Sequence, residues 1–388
     1  MVHPRKLLLA LGSAFAVALP LWWLQRERSR PVLRVLDGST EARSLLLERR
    51  VHDAASSGLP RGRTVHGEIP PEDAARMYSM PSDVFVYNRF VAFRYRPSMR
   101  GYVDWAERDG GGFPKVTNSL GLREDGELPP DRDLLVLVTG DSHTDGLCAN
   151  GESFANRLEA QLATHRPGRV VEVLNAGVSG YSFYNYLGSL EEFLHERPDA
   201  FVVAFYSGND FLDMVKPRHY FERTAPPPRT QAYWERLQAA QAVSAQEVVI
   251  VLNQLLYFQA YPQEAEMALQ AAIEVCSEIA RSCAEHGIRL ILVHIPPGYR
   301  VEGELDPALA RARDRLELSK FDLGSFDRLA DRFIGAAREQ GIEVIDLREA
   351  FGAERERFYW SDRHINLQGH ERIAELLFSW VETFWPRD

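Results

Sequence analysis

Ser142, His364 and Asp362 are residue types suited to nucleophilic acyl chemistry. A serine hydroxyl is a weak nucleophile until a base takes its proton, so Ser142 needs an imidazole beside it. His364 follows a polar turn and precedes a helical pattern, so its ring can project over neighbouring strand ends. Asp362 can hold the other ring nitrogen and fix the tautomer. The oxyanion of an acyl-transfer intermediate needs preorganised donors. The backbone N–H groups of Ser142 and Gly177 and the side-chain amide of Asn209 can supply them, and Gly177 lets the backbone approach a substrate closely. The order Ser–Asp–His also occurs in α/β-hydrolases, but the G-x-S-x-G elbow of that fold is absent around Ser142.

Alternating apolar strands and amphipathic helices must position these groups. The pattern predicts strands over 134–138, 170–174, 201–205, 290–294 and 342–345. It predicts helices over 152–163, 184–195, 262–286, 326–340 and 367–384. That rhythm indicates a parallel sheet covered on both faces. Ligands bind just beyond the carboxyl ends of such strands. The first strand ends in Thr139-Gly140-Asp141-Ser142-His143, the second in Asn175-Ala176-Gly177, and the third in Tyr206-Ser207-Gly208-Asn209-Asp210. Trp360-Ser361-Asp362-Arg363-His364-Ile365-Asn366 precedes the closing helix. Residues 83–105 read as a strand or hairpin. The stretch 211–260 breaks the rhythm with Pro226-Pro227-Pro228, a helix around 234–241 and an apolar run over 248–258. It reads as an insertion able to cap the site, with the apolar run buried rather than in contact with a membrane.

Ser, Gly, Asn and Asp-x-His, each in order at a strand end or before the last helix, resemble the SGNH (GDSL-type) hydrolase superfamily. The resemblance covers about residues 115–385, and the first block reads Gly140-Asp141-Ser142-His143. Asn118-Ser119-Leu120-Gly121-Leu122-Arg123 is similar to a preamble of membrane-associated bacterial members. The last block is Asp-x-His where the family more often has Asp-x-x-His. The resemblance implies a three-layer α/β/α, flavodoxin-like fold with about five parallel strands, an N-terminal extension and a helical insertion. It implies a serine esterase with Ser142, His364 and Asp362 as triad and Ser142, Gly177 and Asn209 as oxyanion hole. Two other functions stay open: O-acyl transfer to a cell-surface polysaccharide, and a non-catalytic binding protein that keeps the fold.

Neighbouring polar residues have structural readings. Ser142 taken alone could simply cap the following helix. Asp141 is expected to accept loop N–H bonds, His143 to point away from substrate, and Asp210 to brace the Asn209 loop. His294 reads as a hydrogen-bonded structural residue, His370 as exposed in the first turn of the final helix, and Asn366 as its cap.

The chain has 388 residues, 45% hydrophobic and 26% charged, so most of it can fill a core. A net charge of −10 opposes nonspecific nucleic-acid binding. Three cysteines cannot staple a chain of this length. Cys276 and Cys283 lie too far apart along one predicted helix to bridge. No metal-ligand spacing or phosphate loop occurs, so neither metal nor cofactor is expected. Arg5 and Lys6 precede an uncharged apolar run over 7–24, about 27 Å long as a helix and close to the thickness of a bilayer core. Trp22 and Trp23 suit an interfacial belt. Residues 1–30 therefore read as a membrane anchor, or as a signal segment whose cleavage would release a secreted protein. Residues 31–115 read as a linker with helical pieces plus an accessory region, and 116–388 as the hydrolase domain with its insertion at about 211–260. The catalytic domain is expected outside the cytoplasm, acting on an acyl ester of a glycan or lipid.

Overall fold

A computed structural model describes residues 32–36, 67–78, 83–243, 246–301, 307–352 and 357–385. The apolar run over 7–24 lies outside the described residues. Among those described, no helix is long and apolar enough to cross a membrane.

The amino-terminal region forms strands as well as a helix. Val32–Val35 (β1), Arg100–Asp104 (β4) and Gly112–Val116 (β5) make an antiparallel sheet in the order β1-β4-β5. Phe85–Asn88 (β2) and Ala92–Tyr95 (β3) make a hairpin. The Asn88 side chain holds its turn by accepting from the Phe90 and Val91 amides at 2.8 and 3.1 Å. Linker composition hid β1, whose few residues gain their stability from pairing with β4. Ile69, Val91, Phe93, Tyr95 and Leu122 belong to the same buried cluster as the central sheet, so this region packs onto the main core.

The central sheet contains Leu134–Gly140 (β6), Val171–Asn175 (β7), Ala200–Tyr206 (β8), Arg289–Ile295 (β9) and Glu343–Asp346 (β10). All pairings are parallel, in the order β10-β9-β8-β6-β7. β6 and β8 are buried at every position, as expected for inner strands with helices on both faces. Truncating an inner residue such as Leu137 to alanine would cost about 2–5 kcal/mol. On one face pack the Phe154–His165 and Leu367–Val381 helices. Asn366 caps the second of these by accepting from the Gly369 amide at 3.0 Å. On the other face lie Phe183–Phe193, Pro262–His286 and Ser325–Glu339. Pro262–His286 carries Pro in its first turn and stops at Gly287, where φ is 71°.

The sheet is thus the predicted three-layer α/β/α arrangement. The strand order reverses at β6, which opens a crevice at the carboxyl ends of β6 and β8. The register pairs Gly140 with Ala204, and His294 with both Phe205 and Asp346, so the strand ends are level. The 211–260 stretch forms helices Val215–Glu222, Gln231–Val243 and Gln246–Ala260. Leu252, Leu255 and Leu256 are buried, so the described part of the apolar run packs inward. The cysteines are free and buried.

Candidate active site

Ser142 begins a single helical turn, Ser142–Asp145, at the end of β6. Asp141 caps that turn, accepting from the His143 amide at 2.9 Å. The Ser142 hydroxyl is therefore not needed as a cap. Its Oγ lies 2.9 Å from His364 Nε2. His364 Nδ1 lies 2.9 Å from Asp362 Oδ2, and Asp362 Oδ1 accepts from the His364 amide at 3.0 Å. An ionised carboxylate can only accept, so Nδ1 carries the proton and Nε2 is free to accept from Ser142. The sequence-predicted Ser142, His364 and Asp362 thus form one continuous hydrogen-bonded chain.

The short Asp-x-His spacing works because of its turn. Tyr359 bridges Ile365, and the Trp360 amide donates to the His364 carbonyl at 2.8 Å. Arg363 takes a left-handed φ of 78° between the two site residues. That conformation is costly for a residue with a Cβ and persists only where its surroundings fix it. His143 supplies part of the fixing. Its Nδ1 accepts from the Ile365 amide at 3.3 Å, and its ring centroid lies 5.0 Å from that of His364. Burial holds the His143 pKa well below its ordinary value, so it remains a neutral acceptor. The sequence expectation has this histidine turned away from substrate; the structure adds that it secures the loop carrying His364.

The predicted oxyanion donors differ in availability. The Ser142 amide lies in the first turn of its helix and has no intrahelical acceptor. Asn209 Nδ2 donates to Asp213 Oδ2 at 2.8 Å, which leaves its second hydrogen. The buried Asn209 Oδ1 has no partner. The Gly177 amide donates to Asn175 Oδ1 at 3.0 Å, and Asn175 in turn donates to the Thr144 carbonyl at 3.1 Å. Gly177 also serves packing. A Cβ there would come within 2.6 Å of the Thr144 side chain and 2.7 Å of the Asp145 nitrogen.

Buried carboxylates surround the Asn209 loop. Asp210 Oδ2 accepts from the Tyr206 amide at 2.8 Å and from the Tyr186 hydroxyl at 2.7 Å, bracing the loop. Burial raises Asp141 and Asp210; the Asp213 charge raises Asp141 further, and the Asp141 charge raises Asp210 further. Burial pushes Asp213 up to about 6, against the Asn209 hydrogen bond. Asp145, paired with Lys115 and Arg123, lies at the other end of the Ser142 turn. Asn175 opens the second strand-end block, whereas no motif includes Asp213. Arg123 is the last residue of the preamble.

His370 is a correction: it is fully buried, and its Nδ1 accepts from the Phe154 amide at 3.2 Å. Position in a first helical turn suggested exposure, but that turn faces the Phe154–His165 helix. Among the described residues, no group of three or more His, Cys, Asp or Glu is arranged to hold a metal.

Residues 138–324 match the family model of the GDSL-like lipase/acylhydrolase family. This domain belongs to the SGNH/GDSL hydrolase superfamily. The enzymatic class of the SGNH domain is that of serine carboxylic ester hydrolases. A comparison with curated proteins gives no match. Solved structures with a similar course include the acetyl xylan esterase AlAXEase, at 14% identity and TM-score 0.37, covering 64% of this chain and 100% of that one. Axe2, an acetylxylan esterase from Geobacillus stearothermophilus, aligns at 16% identity and TM-score 0.39, covering 67% and 100%. LAE5, an α/β hydrolase enzyme from the metagenome of Lake Arreo, Spain, aligns at 18% and 0.36, covering 64% and 94%.

Proposed function

We propose that the protein is a membrane-anchored serine esterase whose nucleophile is Ser142. Ser142 Oγ attacks the ester carbonyl carbon while His364 Nε2 takes the hydroxyl proton, and the imidazolium is stabilised by Asp362. The tetrahedral oxyanion is held by the Ser142 amide and the second Asn209 Nδ2 hydrogen. Gly177 becomes a further donor once its amide exchanges Asn175 Oδ1 for substrate. The intermediate collapses, the C–O bond to the alcohol breaks, and the alkoxide takes the proton from His364. Water, deprotonated by His364, then releases the acyl group from Ser142.

The observation that carries this reading is the unbroken chain from Asp362 through His364 to Ser142 at 2.9 Å per link. Ser142 and His364 are only half-buried, so a substrate can reach this hydroxyl. Beside the triad, Arg363 borders a small cleft with Tyr206, Tyr299 and Val251 of the insertion. The uncharged run over 7–24 with its Trp pair supports a membrane anchor.

Hydrolysis of p-nitrophenyl esters from acetate upward, by the full chain, tests the reading. Turnover on short esters, lost in Ser142→Ala and His364→Ala, is expected. An acyl-enzyme that stalls until a glycan acceptor is added would replace hydrolysis by O-acyl transfer. A folded protein that neither turns over nor acylates would leave a binding function.

A further inference from the structure

Ser207, His294 and Asp346 repeat the hydrogen-bond order of the triad. His294 Nε2 lies 2.9 Å from Ser207 Oγ, and His294 Nδ1 lies 2.9 Å from Asp346 Oδ1. They sit at the carboxyl ends of the neighbouring strands β8, β9 and β10. Ser207 is 1% exposed and His294 0%, so substrate cannot reach this hydroxyl. Arg348 donates to Asp346 Oδ2 through Nη2 at 2.6 Å and keeps it ionised. Burial holds the His294 pKa below its ordinary value, so the ring is neutral with Nε2 as acceptor.

This second chain ends two residues before Asn209. The Ser207 amide donates to the Ile295 carbonyl at 3.1 Å. The Ser207 carbonyl accepts from Gln254 Nε2 at 2.8 Å, and Gln254 Oε1 accepts from the Leu212 amide at 3.0 Å. Side chain, amide and carbonyl of Ser207 are therefore all fixed, directly before the loop that carries the oxyanion donor.

We propose that Ser207, His294 and Asp346 form a buried positioning relay that fixes the Asn209 loop in its catalytic geometry, and that Ser207 is not itself a nucleophile. The proposal rests on Asn209 being an oxyanion donor. Displacing a donor by about 1 Å costs on the order of 100-fold in rate without affecting ground-state binding.

The test compares the full chain with Ser207→Ala, His294→Gln and Ser207→Cys, the last of which keeps a donor of similar size. The readouts are kcat and KM on p-nitrophenyl acetate, the rate of fluorophosphonate labelling of Ser142, and Tm. The relay predicts that kcat falls about 10- to 100-fold in Ser207→Ala and His294→Gln, with KM within about twofold. Labelling of Ser142 should slow in parallel, and Ser207→Cys should recover part of the loss. If Ser207→Ala does not fold, the same pattern in His294→Gln decides. Unchanged kcat in a folded variant would overturn the proposal, as would a loss explained entirely by unfolding at the assay temperature. So would an adduct on Ser207 in Ser142→Ala. Unchanged kcat in Asn209→Ala would instead refute the reading of the oxyanion hole.

Discussion

Asp145 accepts a hydrogen bond from Lys115 Nζ at 2.7 Å and lies in the same helical turn as Ser142. The same carboxylate accepts from Arg123 Nη1 at 2.9 Å, the Tyr95 hydroxyl at 2.8 Å and the Ser179 hydroxyl at 2.9 Å. β3, β5, the preamble and the loop after Gly177 thus converge on the turn that carries Ser142. The amino-terminal strands are therefore part of the support of the site. Burial lowers Lys115 to about 8 even against the pull of Asp145.

Removing that carboxylate would leave two buried cations facing each other. Asp145→Asn is expected to cost about 3–5 kcal/mol, the penalty for breaking a buried ion pair from one side. Denaturant unfolding followed by circular dichroism measures it. A midpoint like that of the wild type would show that Lys115 and Arg123 need no counter-ion.

Asp362→Asn should keep the turn and lose the tautomer. An amide nitrogen facing Nδ1 favours the proton on Nε2, where it blocks acceptance from Ser142. A fall in kcat of roughly 10⁴-fold is expected, by analogy with the same change in other serine triads, with little change in Tm. A mild loss would mean that another group orients His364.

Asp213 links stability to pH. Its folded pKa is about 6 against an ordinary 3.8, so the folded state holds the proton more tightly. The stabilising contribution is full below pH 3.8, declines as pH rises towards 6, and is absent above it. A shift of that size corresponds to at most about 3 kcal/mol. The neutral Asp213→Asn should lose this slope and gain stability at pH 7.5. Its kcat should fall, because an uncharged acceptor holds the Asn209 amide more weakly. Urea unfolding of both proteins from pH 4 to 8 provides the difference.

Gly177→Ala should separate packing from catalysis. The new methyl meets Thr144 and the Asp145 nitrogen at distances that force the backbone apart. A cost of about 1–3 kcal/mol is expected, with a disproportionate loss of kcat because Ser142 lies on the displaced turn. Equal stability in thermal unfolding would show that the loop yields without strain.

The sheet was legible because apolar runs such as Leu134–Gly140 and Ala200–Tyr206 have no polar face to hide. Ser142, Gly177, Asn209, Asp362 and His364 were legible because each sits where a strand or polar turn ends. Less legible was what supports them. Ser207 and His294 were visible at strand ends, yet their pairing depends on the register between β8 and β9. Asp145 meets Lys115 only through tertiary packing, and a buried lysine has no signature in composition. The Gly177 amide shows the same limit. Its position was readable, but its bond to Asn175 depends on one side-chain rotamer.

The most direct measurement is fluorophosphonate labelling of the full chain, with the adduct mapped by mass spectrometry. An activated serine is required for this reaction. One adduct is expected, on Ser142, absent from Ser142→Ala and slowed at least about 100-fold in His364→Ala. A correctly folded protein that takes no label, or takes it on another residue, would contradict the assignment of Ser142 as the nucleophile.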